Sequence, residues 1–244
     1  MNTAKTILLT GGTSGIGLAL LKQLHAQGHR LIVVVRNHSR LLHLQTERKR
    51  VTTYECDLSS RLQIESLATS ISEKHPDLSI IINNAGIQYT PTVLDDDFSF
   101  DSIEHETIVN FLSPVWLSTL LLPTLLQNNM PSSIVNISSG LIFAPKTNSA
   151  IYCATKAAIH SYSQSLRNQL DDTDILVQEV ILPLVDTPMT RGRGKNKMAA
   201  DEAARQIIKG IEKRSPEIYV GKAKLLPFLT RLSPTLVKKI MRKY

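Results

Sequence analysis

A glycine-rich turn joins a short apolar run to a helical segment near the start of the chain. Thr6 to Thr10 reads as a strand, Leu18 to Leu24 as an apolar helix, and between them stands Thr10-Gly11-Gly12-Thr13-Ser14-Gly15-Ile16-Gly17. Glycines let the backbone turn tightly and approach a pyrophosphate, whose charge the first helical amides then face. The spacing G-x-x-x-G-x-G differs from the G-x-G-x-x-G dinucleotide fingerprint. On this motif alone, a tight turn without a ligand remains a serious alternative.

Short β-branched runs alternate with longer segments of helical period along most of the chain. Such alternation, with nearly continuous apolar strands, predicts a parallel sheet covered by helices on both faces. No Pro-, Gly- or Ser-rich linker divides the sequence, so we predict a single α/β domain with a Rossmann-type doubly wound parallel sheet. The predicted strands, about seven, are Thr6 to Thr10, Leu31 to Val35, Val51 to Glu55, Ser79 to Ile82, Ser133 to Ile137, Ile175 to Ile181 and Glu217 to Val220.

The predicted second strand ends with a cation where many dinucleotide sites have an acid. In an NAD site, an acidic residue about twenty residues beyond the glycines bonds the ribose 2′-hydroxyl. Here the strand ends Val34-Val35-Arg36. A guanidinium pairs with a 2′-phosphate and stacks on adenine, whereas a carboxylate repels that phosphate. NADP(H) is therefore favoured over NAD(H), unless Arg36 only begins a surface segment that runs to Arg40.

The net charge of +7 comes from one end of the sequence. Residues 222–244 hold seven Lys and Arg residues and no acid, and the rest of the chain is balanced, which argues against a nucleic-acid binder. One helical face of this segment is apolar and would either lie on an anionic membrane or pack on its own or a neighbouring subunit. We favour packing, and predict residues 1–221 as the main domain with residues 222–244 as a basic amphipathic segment packed on it. The apolar face consists of Leu236, Val237, Ile240, Met241 and Tyr244.

Cysteine usage and hydropathy indicate a cytoplasmic protein. Cys56 and Cys153 lie far apart in sequence, which predicts neither a disulfide framework nor a thiolate metal site. No secretory signal fits the N-terminus, because the apolar run Ile7 to Leu9 ends at once in the glycine cluster. The longest apolar stretch, Val115 to Leu126, is interrupted by polar residues and is predicted to be too short to cross a bilayer.

A phenol and an ammonium are spaced for one helix face in Tyr152-Cys153-Ala154-Thr155-Lys156. A free phenol titrates near 10, so poising it near neutrality takes roughly 4 kcal/mol. A positive charge about 4 Å away at an effective dielectric near 20 provides about that much. The sequence therefore predicts that Lys156 lowers the pKa of Tyr152 for proton transfer. Taken alone, such a pair is also commonplace on a solvated helix face.

The turn, the strand ends and this pair together resemble the short-chain dehydrogenase/reductase family, over residues 6 to about 190. Asp57-Leu58 after the third strand and Asn83-Asn84-Ala85-Gly86 after the fourth are similar to motifs of that family. Its serine stands 13 residues before its tyrosine, which selects Ser139 over Ser138. The resemblance implies an oxidoreductase that transfers a hydride between NADP(H) and a carbonyl or secondary alcohol substrate, as a homodimer or homotetramer.

The resemblance also implies roles for individual residues. Tyr152 exchanges the proton, Ser139 bonds the substrate oxygen, Lys156 holds the nicotinamide ribose, and Asn110 anchors a water of the proton relay. The segment Leu182 to Met189 lies against the nicotinamide, but Leu184 stands where the family usually has glycine. The implied cofactor-binding residues are Gly11, Thr13, Ser14, Gly15, Ile16, Gly17, Arg36, Asp57, Leu58, Asn84, Ala85, Gly86, Tyr152, Lys156, Pro183, Val185 and Thr187.

The substrate pocket is implied to form from the loops after Ser139 and Thr187. The implied substrate-binding residues are Gln88, Ser139, Leu141, Leu184 and Met189. Most of them are apolar, which indicates an apolar carbonyl compound or alcohol. The cations of Arg191 to Lys197 would attract a phosphate or carboxylate handle, yet a solvated charged lid is the favoured interpretation.

Two other classes of function stay open. A dinucleotide sensor or scaffold would bind the cofactor without turnover, although the complete set of Asn110, Ser139, Tyr152 and Lys156 argues against it. A peripheral membrane protein would act through residues 222–244. That segment and Glu217-Ile218-Tyr219-Val220-Gly221 also resemble the branch of the family found beside bacterial teichoic-acid D-alanylation enzymes, which fixes no substrate.

Overall fold

The computed structural model describes residues 4–36, 49–128 and 130–242, and its centre is a parallel sheet of seven strands. Nearly every residue of the inner strands is buried, as expected for a parallel sheet covered on both faces. The strand order is β3-β2-β1-β4-β5-β6-β9. The strands are β1 Thr6–Thr10, β2 Arg30–Val35, β3 Val51–Glu55, β4 Leu78–Asn83, β5 Ser132–Ser139, β6 Ile175–Leu182 and β9 Glu217–Tyr219, with a separate pair β7 Val185–Asp186 and β8 Met198–Ala199.

Helices cover both faces of this sheet. Apolar residues of α1 and α6 pack on one face, and those of α2, α4 and α5 pack on the other. The helices are α1 Gly15–Ala26, α2 Arg61–Lys74, α3 Phe100–Thr107, α4 Ser113–Gln127, α5 Ala150–Gln169, α6 Ala200–Glu212, α7 Leu226–Leu232 and α8 Pro234–Met241. A π-helical turn, Ile108–Leu112, joins α3 to α4 without a break.

The direction of strand addition reverses next to β1. From β1 the chain adds β2 and then β3 on one side, and it returns to place β4 on the other side of β1. In open α/β sheets, ligands bind beyond the carboxyl ends of the strands at such a reversal. The glycine turn after β1 and the residues after β4 therefore meet where a ligand site is expected.

The predicted fold and all seven predicted strands are confirmed, each boundary falling within two residues of its expected place. The pair β7 and β8 was not predicted, because segments of two residues carry no periodic signal.

The sequence predicts that the apolar stretch Val115 to Leu126 is too short to cross a bilayer, and this prediction is wrong about the length of the helix that contains the stretch. It lies in one continuous helix, Phe100–Gln127, which is 28 residues long and by length and composition is apolar enough to span a membrane. Half of the most apolar 18 residues of this helix are buried. Leu117, Leu121 and Leu125 pack into the core against the sheet. A core helix passes the same test of length and composition, so this feature is weak evidence for a span.

The predicted apolar face of the C-terminal segment is divided in the structure. Val237 and Met241 are buried, whereas Leu236 and Ile240 are exposed. Tyr244 and the neighbouring Lys243 lie outside the described residues, as does the segment from residue 37 to Arg40 that the sequence offered as an alternative role for Arg36.

Candidate functional site

A cavity of about 530 Å³ opens at the carboxyl edge of the sheet, at the reversal beside β1. The glycine turn, the ends of β2 to β6 and the N-terminal half of α5 form its walls. Of the predicted site residues, the cavity is lined by Gly11, Thr13, Ser14, Gly15, Ile16, Gly17, Arg36, Asp57, Leu58, Asn84, Ala85, Gly86, Tyr152, Lys156, Thr187 and Met189. Among the described residues, seven others that line the cavity were not predicted because no motif marks them: Val34, Val35, Cys56, Ile87, His105, Val109 and Ile137. Three more are Ser138, which the spacing had passed over for Ser139, and Leu182 and Pro188, which belong to the segment that the resemblance placed against the nicotinamide.

The glycine turn is fitted for close backbone approach. A Cβ added at Gly17 would stand 2.0 Å from the carbonyl oxygen of Gly11, so only glycine lets α1 begin so near to β1. Asn84 fixes this arrangement, since its Nδ2 donates to the carbonyl oxygens of Thr10 and Gly11 at 2.9 and 3.1 Å. Within the described residues, no side chain caps the N-terminus of α1 and no acid stands in its first turn. The turn therefore fits a dinucleotide pyrophosphate.

Arg36 lines the far end of this cavity together with Cys56, Asp57 and Leu58. The Asp57 carboxylate is turned toward its own loop, where it accepts from the backbone N–H and the hydroxyl of Ser59 at 2.9 and 2.7 Å. These bonds from Ser59 hold the pKa of Asp57 below its ordinary value, burial opposes them, and the charge of Arg36 lowers the pKa slightly further. Among the described residues that line this part of the cavity, Arg36 therefore contributes an exposed guanidinium.

Tyr152 and Lys156 face the same cavity from α5. Lys156 is buried, and its Nζ donates to the carbonyl oxygen of Ile137 at 2.8 Å. The same Nζ lies 5.6 Å from the centroid of the Tyr152 ring. The helical spacing read from the sequence therefore brings the phenol and the ammonium together at the end of β5.

The prediction that Lys156 lowers the pKa of Tyr152 is wrong for the protein's own groups. Burial raises the pKa of Tyr152 well above its ordinary value, Cys153 and Glu106 raise it further, and Arg193 opposes them. Burial also lowers the pKa of Lys156 to about 8, with the charge of Glu179 opposing. Desolvation disfavours the charged form of each group, and it is the largest cause of both shifts.

Asn110 is buried in the π-helical turn between α3 and α4, and its side chain binds neighbouring backbone. Its Oδ1 accepts from the backbone N–H of Ile87 at 2.8 Å, and its Nδ2 donates to the Ile87 carbonyl oxygen at 2.9 Å. Nδ2 also reaches the hydroxyl of Thr155 at 3.3 Å. Gly86 lies between Asn110 and Lys156, 3.3 Å from Oδ1 and 3.8 Å from Nζ when measured from an added Cβ. Asn110 thus ties the loop after β4 to α5, the helix that carries Tyr152 and Lys156.

The two serines at the end of β5 do not lie as the sequence predicts, which is with Ser139 in the site. The hydroxyl of Ser139 accepts from the backbone N–H of Leu141 at 3.2 Å, and Ser139 is not among the residues that line the cavity. Ser138 does line it, and its buried Oγ has no hydrogen-bond partner among the described residues. Spacing selects Ser139, whereas the cavity wall contains Ser138.

Several predicted substrate and cofactor residues lie outside the cavity wall. Leu141 is buried in a cluster with Cys153, Val237 and Met241. Leu184 packs on Gly194, where an added Cβ would meet its Cδ2 at 2.2 Å. Gln88 accepts from Arg193 at 2.7 Å. The residues not brought to the wall are Asn110, Ser139, Pro183, Val185, Gln88, Leu141 and Leu184.

A buried acid lies behind α5, and no sequence motif marks it. Glu179 in β6 is fully buried, and its Oε2 lies 2.7 Å from Nδ1 of His160, one helical turn after Lys156 on α5. Its Oε1 has no hydrogen-bond partner among the described residues. The carboxylate therefore stands close enough to Lys156 to raise the pKa of that amine against the effect of burial.

Comparison with known proteins gives one consistent result. A family model described as short chain dehydrogenase matches residues 5–198. The chain is 36% identical over 227 residues to the uncharacterized oxidoreductase DltE of Bacillus subtilis, covering 88% of each protein. It is 30% identical over 211 residues to the uncharacterized oxidoreductase SERP2049 of Staphylococcus epidermidis, covering 84% of this chain and 89% of that one.

Solved structures show the same fold. A short-chain dehydrogenase from Burkholderia cenocepacia in complex with NADP has a TM-score of 0.87 at 24% identity, covering 98% of this chain and 97% of that one. One from Sphingobium yanoikuyae in complex with NADPH has a TM-score of 0.82 at 26% identity, with coverages of 96% and 95%. A third, from Burkholderia phymatum in complex with NAD, has a TM-score of 0.84 at 19% identity, with coverages of 99% and 96%.

Proposed function

This chain belongs to the short-chain dehydrogenase/reductase family and is an NAD(P)-dependent oxidoreductase, and we propose that it interconverts a carbonyl compound and a secondary alcohol with NADP(H) as its cofactor. The supporting observation is one cavity whose walls include both the glycine turn after β1 and the side chains of Tyr152 and Lys156. A dinucleotide site without turnover would have no use for a buried amine beside a phenol.

In this proposal the chain's own residues hold the dinucleotide along the cavity. The uncapped first turn of α1 binds the pyrophosphate, and Gly86 leaves room beside Lys156 for the ribose. When bound, the nicotinamide donates or accepts the hydride. Thr187 lines the cavity close to the turn, since an added Cβ at Gly15 would meet its side chain at 3.0 Å. The carboxamide would bind there.

Proton transfer would be the task of Tyr152. Its pKa is raised by burial, so the phenol holds its proton at neutral pH and donates it as negative charge develops on the substrate oxygen. A serine at the end of β5 would supply a second hydrogen bond to the same oxygen. Asn110 positions α5 through Thr155 and fixes the loop at Ile87, which keeps the phenol and the amine aimed into the cavity.

The choice of NADP(H) over NAD(H) is supported by Arg36. The guanidinium lines the cavity at the end of β2, where an acid would favour a ribose 2′-hydroxyl. The Sphingobium yanoikuyae relative, 26% identical, holds NADPH. An NAD complex among the structural neighbours shows that the fold accepts either dinucleotide.

Cell location and assembly extend the proposal. A cytoplasmic location agrees with Cys56 and Cys153, which are both free and buried. A homodimer or homotetramer is what the family resemblance suggests, and the substrate is proposed to be a small, largely apolar molecule because Met189, Leu182 and Val109 line the cavity.

The test is NADPH oxidation over a panel of ketones and aldehydes, with Tyr152→Phe beside the unmodified protein. We expect nucleotide affinity, followed by fluorescence, to stay within about twofold, while turnover falls by about 10²–10⁴ because the proton donor is lost. Tyr162→Phe is the matched control, since Tyr162 is on the same helix and does not line the cavity. Equal turnover in the two variants would contradict the mechanism, and binding without turnover on any substrate would point to a sensor.

A further inference from the structure

The segment after β9 exposes six large apolar side chains to solvent. They belong to Leu225, Phe228, Leu229, Leu232, Leu236 and Ile240, with exposed fractions between 43% and 66%. The first four are spaced as one face of a helix and coincide with α7 and the residue before it. Monomeric proteins rarely leave so much adjoining apolar surface in water unless it binds something.

Packing on the protein's own domain explains only part of this amphipathic segment. In α8, Val237 and Met241 pack against Leu141 and Cys153. The end of the helix is fixed as well, because the backbone N–H and the hydroxyl of Thr147 donate to the carbonyl oxygen of Arg242 at 3.2 and 3.1 Å. With these contacts made, Leu236 and Ile240 still point to solvent. Intramolecular packing therefore leaves a second apolar face without a partner among the described residues.

The charged side chains within this segment are all of one sign. Between residues 222 and 242 every Lys and Arg is exposed, and no Asp or Glu occurs. The cations are Lys222, Lys224, Arg231, Lys238, Lys239 and Arg242. An isologous contact would bring this surface against its own copy, so like charges would oppose one another. The complementary partner is apolar within and negatively charged at its surface, which describes an anionic lipid bilayer.

We propose that residues 222–242, the basic apolar surface, dock on the face of an anionic lipid bilayer. The exposed face of α7 enters the boundary between head groups and acyl chains, and the surrounding cations bind the anionic head groups. The surface adjoins the candidate active site, because Leu226 and Tyr152 pack against the same buried cluster and Leu226 also meets Gly140 after β5. Docking itself does not depend on the proposed reaction.

The test is co-sedimentation of the full chain with vesicles of phosphatidylcholine, with and without phosphatidylglycerol. We expect binding to the anionic vesicles only, weakening as salt is raised. Lys238→Ala with Lys239→Ala should lower the partition coefficient by about fivefold for each cation removed. Phe228→Ser with Leu232→Ser should lower it by at least about tenfold, since buried apolar carbon is lost.

Two control variants match these changes on other surfaces. Leu62→Ser removes an apolar residue of α2 that is 78% exposed, and Lys209→Ala with Lys213→Ala neutralises two exposed lysines at the end of α6. Both should bind vesicles like the unmodified protein. Absence of binding to anionic vesicles would overturn the proposal, as would equal losses in the controls. So would light scattering that shows Phe228→Ser with Leu232→Ser dissociating an oligomer while vesicle binding stays unchanged, because the surface would then join two copies.

Discussion

Replacing Lys156 with methionine should stabilise the folded protein at neutral pH while removing its activity. Burial lowers the pKa of Lys156 from 10.5 to about 8, and holding the ammonium charged in the folded state at pH 7 therefore costs about 3 kcal/mol. The variant loses the bond from Nζ to the carbonyl oxygen of Ile137, at 2.8 Å, which contributes about 1 kcal/mol net. Methionine fills a similar volume without charge, so the free energy of unfolding should rise by about 2 kcal/mol.

The pH dependence of this gain distinguishes the charge from ordinary packing. Because the folded-state pKa is depressed, both states carry the proton below about pH 8 and the full cost is present there. Between about 8 and 10.5 the unfolded chain binds more protons than the folded one, so the stability of the unmodified protein rises with pH. The methionine variant lacks this rise, and its advantage should shrink across the same window.

The assay is urea unfolding followed by circular dichroism at about pH 7 and about pH 10, with m-values compared to check that the unfolding transition is unchanged. Lys209→Met, on the exposed face of α6, controls for the loss of a lysine that is not buried. If the methionine variant shows no gain in the free energy of unfolding at neutral pH, or the same gain at both pH values, burial of the charged Lys156 ammonium does not destabilise the folded protein.

Two further substitutions test the electrostatics of the site. Glu179→Gln removes the negative charge that opposes the effect of burial on Lys156, so the pKa of Lys156 should fall below about 8 and the basic limb of the pH–rate profile should move to lower pH. Glu217→Gln, at the paired position in β9, is the control and should leave the basic limb in place. A basic limb that does not move in Glu179→Gln would show that this charge does not act on the site. Arg36→Asp should move the kcat/KM ratio for NADPH over NADH toward NADH by at least about tenfold, since a carboxylate repels the 2′-phosphate; an unchanged ratio would reduce Arg36 to a surface residue.

The strands and the cavity were predictable from the sequence because their signals are local. A run such as Thr6 to Thr10 followed by a glycine turn specifies a strand, a bend and a helix within a dozen or so residues. The carboxyl ends of parallel strands then meet without further information. For the same reason the helical spacing of Tyr152 and Lys156 was enough to bring both side chains to the cavity.

The features that could not be predicted depend on burial and on distant packing. The pKa of Tyr152 is raised by desolvation, and the spacing of residues in the sequence does not reveal how buried a side chain is. Leu141 is predicted to line a substrate loop, but Val237 and Met241, about a hundred residues later, pack against it. Glu179 is the one acid in β6, a strand that is apolar apart from Glu179 and Gln178, and only the packing of α5 on β6 reveals His160 as its partner.

The burial that shifts both groups also decides which form of Tyr152 is present before a nucleotide binds. A phenol with a pKa at or above its ordinary value near 10 is ionised in at most about one molecule in a thousand at pH 7, and burial raises the pKa of Tyr152 above that value. In the nucleotide-free protein Tyr152 is therefore a phenol, the form that can donate a proton to a developing alkoxide. A phenolate at this position would need additional positive charge nearby, because desolvation opposes the charged form.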